Sequence, residues 1–225
     1  MRFKTLKLYT HILEAELHFY SEILGFELID KSNNTFTVKV GWSMLTFERS
    51  EKISQYHYCF LIPANQLHQA LKWMSERVDV IELDKGKNIH NFKTWNADSF
   101  YFYDASGNIA ECIVRYDLNT NNDSNFDSSN VLCINEIGMP TANVDKLNKQ
   151  LETELHTRFW KGDLKIFGTN GSQEGLFLLP NYEVKDTWFP TSINIKPEPF
   201  EAVVDNGTQD FKIVYRDKKL TTKAL

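Results

Sequence analysis

The chain reads as an α+β protein built from repeated strand–helix–strand–strand–strand (βαβββ) units. Three observations carry that reading. Stripes of apolar residues at helical spacing are each preceded by one strand-like run and followed by several. The same order then recurs, an architectural repeat of roughly 50 to 60 residues in which the residues themselves are not visibly duplicated. A turn rich in small and polar residues, Ala105, Ser106, Gly107 and Asn108, closes the second round as a hairpin.

The first unit opens with a strand over residues 3–10. Leu13, Leu17, Tyr20 and Leu24 then fall on one helical stripe, and Gly25 supplies a stop. Strands are expected over 26–30, 35–40 and 44–47, with Gly41 and Trp42 turning between the last two. The second unit repeats this: a strand over 58–62, a stripe of Leu67, Ala70, Leu71, Met74 and Val78, then strands over 80–83, 99–103 and 109–115. Residues 117–130, DLNTNNDSNFDSSN, are polar and turn-prone and read as a linker.

Beyond it a strand over 131–139 leads into a third stripe, Val144, Leu147, Leu151 and Leu155, with Thr141 or Asn143 as its N-cap. Strands over 164–167, 175–179, 200–204 and 211–215 follow, and no helical stripe lies beyond residue 181. The division expected is one domain over residues 1–116, the linker 117–130, and a second, abbreviated domain of similar type over 131–225.

With 225 residues, 42% of them apolar and 13% aromatic, the chain can bury a sizeable core. No apolar run approaches the ~18 residues of a membrane span, and the N-terminal MRFKTLKLYT lacks the apolar core of a secretory leader. A net charge of -5 argues against a nucleic-acid partner. Cys59, Cys112 and Cys133 form no C-x-x-C pair and lie in apolar runs, as reduced thiols packed in a cytoplasmic protein would.

The chemistry-bearing residues stand out against these runs. Glu111 interrupts the apolar strand IAECIVR, where a carboxylate is costly to bury unless paired. Arg115 lies on the same strand face but ~13 Å away along an extended chain. His57 opens the apolar run HYCFLIP. An imidazole and a carboxylate on separate strands are what a shared metal or substrate site needs. Rings available to line a cleft include Tyr58, Trp95, Phe100, Tyr101, Phe102 and Tyr103, and alternation admits either Tyr101 with Tyr103 or Phe100 with Phe102. Asp98 and His90, the latter in the loop KGKNIHNFKTW, are candidates for a polar contact with a ligand.

Two segments give this pattern a family likeness. FYSEILGF over residues 19–26 resembles the helix-to-strand signature of the vicinal oxygen chelate superfamily, the group of glyoxalases, bleomycin-resistance proteins and extradiol ring-cleavage dioxygenases. FYFYDASGNIAEC over 100–112 resembles its closing hairpin, with Ala105 and Ser106 in place of the usual Pro and second Asp. The resemblance covers residues 1–116 in motif and 131–180 in pattern.

The likeness implies paired βαβββ units curling a mixed sheet around a cleft, with metal ligands on the first and last strands of the units. His57 and Glu111 fall on two such positions, while Thr5 and Thr46 occupy the other two. A third ligand would then come from His90, His11 or Glu48. The implied function is a metal-dependent, glyoxalase- or dioxygenase-type enzyme (the latter an oxidoreductase) holding divalent iron, manganese or zinc. Its small, aromatic or apolar substrate would offer vicinal oxygens to the metal and contact Tyr101, Tyr103, Trp95 and His90.

The alternatives are a metal-free binding protein of the resistance type, which the threonines favour, and a regulatory or scaffold protein with a vestigial cleft. Clefts of this superfamily are completed within one chain or between two, the second case implying a homodimer. Asn135 and Glu136 stand in the C-terminal region matching His57, but with no histidine–carboxylate pair there that half is expected to carry no chemistry of its own.

Overall fold

The computed structural model describes residues 1–225. Fifteen strands and three α-helices follow in the order β1 (Arg2–Thr10), α1 (Leu13–His18), β2 (Leu28–Lys31), β3 (Thr35–Val40), β4 (Ser43–Arg49), β5 (His57–Leu61), α2 (Leu67–Ser75), β6 (His90–Phe92), β7 (Ala97–Tyr103) and β8 (Ile109–Arg115). The second half continues with β9 (Cys133–Gly138), α3 (Val144–Leu155), β10 (Phe159–Gly162), β11 (Phe167–Ser172), β12 (Gly175–Pro180), β13 (Phe200–Asp205), β14 (Asp210–Arg216) and β15 (Lys219–Ala224). A π-type turn, Phe19–Ile23, prolongs α1.

Three βαβββ units are therefore present, followed by a helix-free meander. In each unit the first and last strands lie side by side and parallel: β1 with β4, β5 with β8, β9 with β12. The helix of each unit makes the crossover that a parallel pair requires.

The units do not pair as neighbours in sequence. A seven-stranded sheet joins the first unit to the C-terminal meander through β1 and β13, and an eight-stranded sheet joins the second unit to the third through β5 and β9. Each sheet thus draws strands from both sides of residues 117–130. Thr5 and Thr46 consequently lie on the seven-stranded sheet, away from the cleft of His57 and Glu111. Thr5 Oγ1 accepts from Val203 N at 3.1 Å, and Thr46 shares a 2.8 Å hydrogen bond with Thr37.

Forty-three buried residues from both sheets and all three helices form one core. The three apolar stripes read from the sequence supply Leu13, Tyr20, Leu24, Leu67, Ala70, Met74, Val144, Leu147, Leu151 and Leu155 to it. Residues 117–130 pack against the second unit. Phe126 is buried with its ring 5.8 Å from Trp73, and Gln66 donates to the Ser124 carbonyl at 2.7 Å.

Two strands sit elsewhere than periodicity suggested. Residues 80–83 make one bridge, Val80 to Phe102, before a turn at Gly86 ends the run, and the edge strand resumes as β6. Residues 164–166 form a turn whose two amide N–H groups, of Lys165 and Ile166, donate to Asp163 Oδ1 at 2.7 Å. Leu164 and Ile166 are exposed there, and β11 begins at Phe167.

The two family-like segments meet in space. Asp104 Oδ1 accepts from the backbone N–H of Ser106 and Asn108 and shapes the hairpin turn. Its Oδ2 accepts from Tyr58 at 2.5 Å and from Tyr20 at 3.2 Å. One carboxylate thereby ties the turn of the second unit to the helix of the first.

Candidate metal centre

Burial and register place three ligating groups together on the face of the eight-stranded sheet that is turned away from the helices. Glu111 and Glu136 both stand beside Cys59, one on each neighbouring strand, so all three side chains leave the same face. His57 lies two residues earlier on β5 and shares that face. His57 Nε2 is 3.4 Å from Glu111 Oε2, and one ligand atom from each of His57, Glu111 and Glu136 lies within 4.8 Å of the others.

Glu136 reaches the site through an irregularity. The register of β5 with β9 shifts between Cys59 and Phe60, leaving Asn135 without a partner. Such a bulge re-aims side chains, and Asn135 and Glu136 both contact Arg115, which strict alternation would forbid. Arg115 Nε donates to Asn135 Oδ1 at 2.9 Å, and Nη2 forms an ion pair with Glu136 Oε1. The C-terminal half therefore contributes a carboxylate to the buried cluster. The signal was present in the sequence as two adjacent polar residues, Asn135 and Glu136, inside an otherwise apolar strand.

The His57 ring is held in one orientation. Its Nδ1 lies 3.1 Å from the Ile109 carbonyl, and the tautomer that donates there leaves the Nε2 lone pair facing the carboxylates. Burial works to lower the His57 pKa, but the hydrogen bond and charge of Glu111, with Glu136 behind them, raise it overall. Burial and then the charge of Glu111 push Glu136 up to about 7, against the pull of Arg115 and His57.

Four polar atoms of this cleft are buried without a partner: Glu111 Oε1, Arg115 Nη1, Ser99 Oγ and Trp188 Nε1. Buried orphan groups are uncommon and each calls for an explanation. A free carboxylate oxygen beside an oriented imidazole and a second carboxylate suits a divalent cation, and an O,O,N donor set is compatible with manganese, iron or zinc. The residues fit such an ion. The last strand of the third unit adds only Leu176 and Leu178 to this face.

A strap over residues 181–199 closes the cleft. Trp188, 3% exposed, lies 5.0 Å from the His57 ring. Gly138 permits this approach, since a Cβ there would stand 2.6 Å from the indole.

The four expected substrate contacts are not equivalent. Tyr101 is buried with its ring 6.2 Å from His57, and Phe189 of the strap packs against it at 5.8 Å. His90 sits on the rim, half-buried, 4.7 Å from the Phe189 ring. Trp95 covers Arg115 together with Trp160. Tyr103 is 40% exposed at the end of β7 and lines a separate groove of about 540 Å³ with Phe19, Arg77 and Asp104. His11 and Glu48 line another surface cavity, of about 670 Å³, and Glu48 pairs with Lys7. His90 is absent from the buried cluster too, and the third group there is Glu136.

No protein-family model matches the sequence, and no curated protein is similar to it. Solved structures are similar in architecture. A protein from Bacillus subtilis, provisionally named a dioxygenase, matches over 100% of this chain and 84% of its own, with a TM-score of 0.62 at 13% identity. Maize (Zea mays) glyoxalase I, as the V278E mutant, matches over 79% of this chain and 66% of its own, with a TM-score of 0.54 at 11% identity. Lactoylglutathione lyase from Agrobacterium tumefaciens aligns with 49% of this chain and 90% of its own, at a TM-score of 0.41 and 20% identity. Curled sheets assembled from βαβββ units, and likeness over 79% to 100% of the chain at low identity, establish that this chain has the glyoxalase/dioxygenase fold.

Proposed function

We propose that the protein is a metal-dependent enzyme of the glyoxalase or ring-cleavage dioxygenase type, acting on a small substrate with vicinal oxygens. One observation carries this reading: three buried ligand atoms converge, and Glu111 Oε1 has no partner among the protein's own groups. His57, Glu111 and Glu136 would hold divalent iron, manganese or zinc. Bound there, the ion supplies Lewis-acid polarisation of the substrate oxygens.

The chain's own residues do the rest. Ile109 fixes the imidazole through its carbonyl, Arg115 offsets the charge of Glu136, and Trp188 with the strap excludes water from the face. Tyr101 and Phe189 present rings suited to an aromatic or apolar substrate. The eight-stranded sheet draws all its strands from one chain, so the cleft needs no second copy, although homodimerisation is compatible with it. The three unbridged, buried thiols support a reducing, cytoplasmic setting, and no helix is long and apolar enough to cross a membrane.

Manganese titration by calorimetry, with elemental analysis of the purified chain, tests the proposal. One equivalent should bind, and His57→Ala or Glu111→Gln should weaken binding by tenfold or more, about 1.4 kcal/mol. Absence of stoichiometric binding in the native chain overturns it.

A second reading, a metal-free small-molecule binder, is favoured by the Arg115–Glu136 ion pair, which already places a cation against one of the carboxylates. Tight binding of aromatic ligands by chelator-treated protein, without any metal uptake, would select it.

A further inference from the structure

The far end of the same cleft holds a charged group that the metal reading uses only in part, through its pairing with Glu136. Arg115 is fully buried, yet only two of its three guanidinium nitrogens are engaged: Nε with Asn135 and Nη2 with Glu136. Nη1 has no acceptor. Leaving a charged donor desolvated and unpaired is costly, and the cost disappears if a ligand atom accepts there. Trp95 and Trp160, ring centres 5.6 and 5.1 Å from the guanidinium carbon, cover this end and hold the group in place.

Charge points the same way. With His57 neutral, the carboxylates of Glu111 and Glu136, the Arg115 guanidinium and a divalent cation together leave one positive charge in a site screened from water. Such a site is balanced by a ligand that brings a single negative charge. A guanidinium edge matches a carboxylate in geometry as well as in sign.

We propose that Arg115 is a specificity-determining residue that selects substrates bearing a carboxylate in addition to their two adjacent oxygens. The second half of that statement, and the charge count, rest on the metal reading; the carboxylate preference itself rests on the unpaired Arg115 Nη1. The substrate class is then a small aromatic or apolar monocarboxylic acid with vicinal oxygens.

Calorimetry on the manganese-loaded full chain tests this with two probes that differ by one group, 3,4-dihydroxybenzoate and catechol. The acid should bind about tenfold to a hundredfold more tightly. Arg115→Met risks misfolding, because Glu136 would lose its partner. Arg115→Lys keeps a cation against Glu136 and removes the guanidinium edge, so manganese binding should persist while the preference falls below about threefold.

Equal affinities in the native chain, or a preference that survives Arg115→Lys, would overturn the assignment. If manganese fails to bind at all, benzoate against phenol in the metal-free chain reads the subsite separately. Benzoate binding that Arg115→Lys abolishes supports the assignment, and no preference for benzoate refutes it.

Discussion

Both sheets contain βαβββ units, one in the seven-stranded sheet and two in the eight-stranded sheet, yet their faces turned away from the helices treat charge in opposite ways. On the seven-stranded sheet that face is open. Lys7, Tyr9, Glu48, Glu201, Lys212 and Arg216 form a half-exposed network in which Lys7 reaches Glu201 at 2.9 Å and Glu48 at 3.1 Å, and Lys212 reaches Glu201 at 3.2 Å. On the eight-stranded sheet the strap covers the face, and His57, Glu111, Glu136 and Arg115 are all buried.

The carboxylates respond accordingly. At Glu201, burial works upward but hydrogen bonds from Lys7, Tyr9 and Lys212 overcome it and hold the group near 2. At Glu136 burial wins and the group rises to about 7. The lesson is that cover, more than sequence neighbours, decides whether an acidic group on this fold keeps a low pKa among solvated ion pairs or is raised toward neutrality.

Removing a cation from each face puts this contrast to the test. Arg115→Met should cost about 3–5 kcal/mol by chemical denaturation, because it strands the buried Glu136. A loss below about 1 kcal/mol would show that the covered face is wetter than its burial implies. Trp188→Ala comes next, at about 3 kcal/mol from lost packing, and it should also make the His57 face accessible to a histidine-modifying reagent. Unchanged stability and reactivity would remove the strap from the account.

A pH series on the metal-free chain separates the faces by sign. The pKa values of Glu136 and His57 are raised in the folded state. Their stabilising contribution is present below the unfolded values and is lost as pH rises, for Glu136 from its ordinary 4.5 through about 7. Glu201 is lowered, so its contribution is present above 4.5 and lost as pH falls toward about 2. Denaturation midpoints should therefore decline on both sides. Glu136→Gln should flatten the neutral limb and Glu201→Gln the acid limb; a Glu136→Gln profile identical to the native one contradicts the assignment.

The smallest effect belongs to Lys212→Met, which should change stability by less than about 1 kcal/mol and lose that effect in high salt.

Much of this arrangement was legible in the residues. His57 and Glu111 stood out as polar groups in apolar strands, and the helix stripes marked the core accurately because a buried face must repeat at helical spacing. Strand placement failed at residues 80–83 and 164–167. Short apolar runs do not reveal whether their backbone groups find a neighbour, and at 164–166 the Asp163 carboxylate took up the amides in a turn. Glu136 was passed over because no histidine accompanies it in the C-terminal half, and only a register shift with β5 turns it and Asn135 together toward Arg115.

The unit, its order along the chain and its polar side chains in apolar strands are local properties of the residues, since periodicity and turn residues act over short stretches. Which units share a sheet was decided by tertiary structure. Pairing the second unit with the third and the first with the C-terminal meander sets strands side by side that lie far apart in sequence, and nothing local specifies such a partner. That choice removed Thr5 and Thr46 from the cleft, brought Glu136 into it, and placed Trp188 over His57. Long-range pairing and the desolvation that accompanies it converted scattered polar residues into one candidate site.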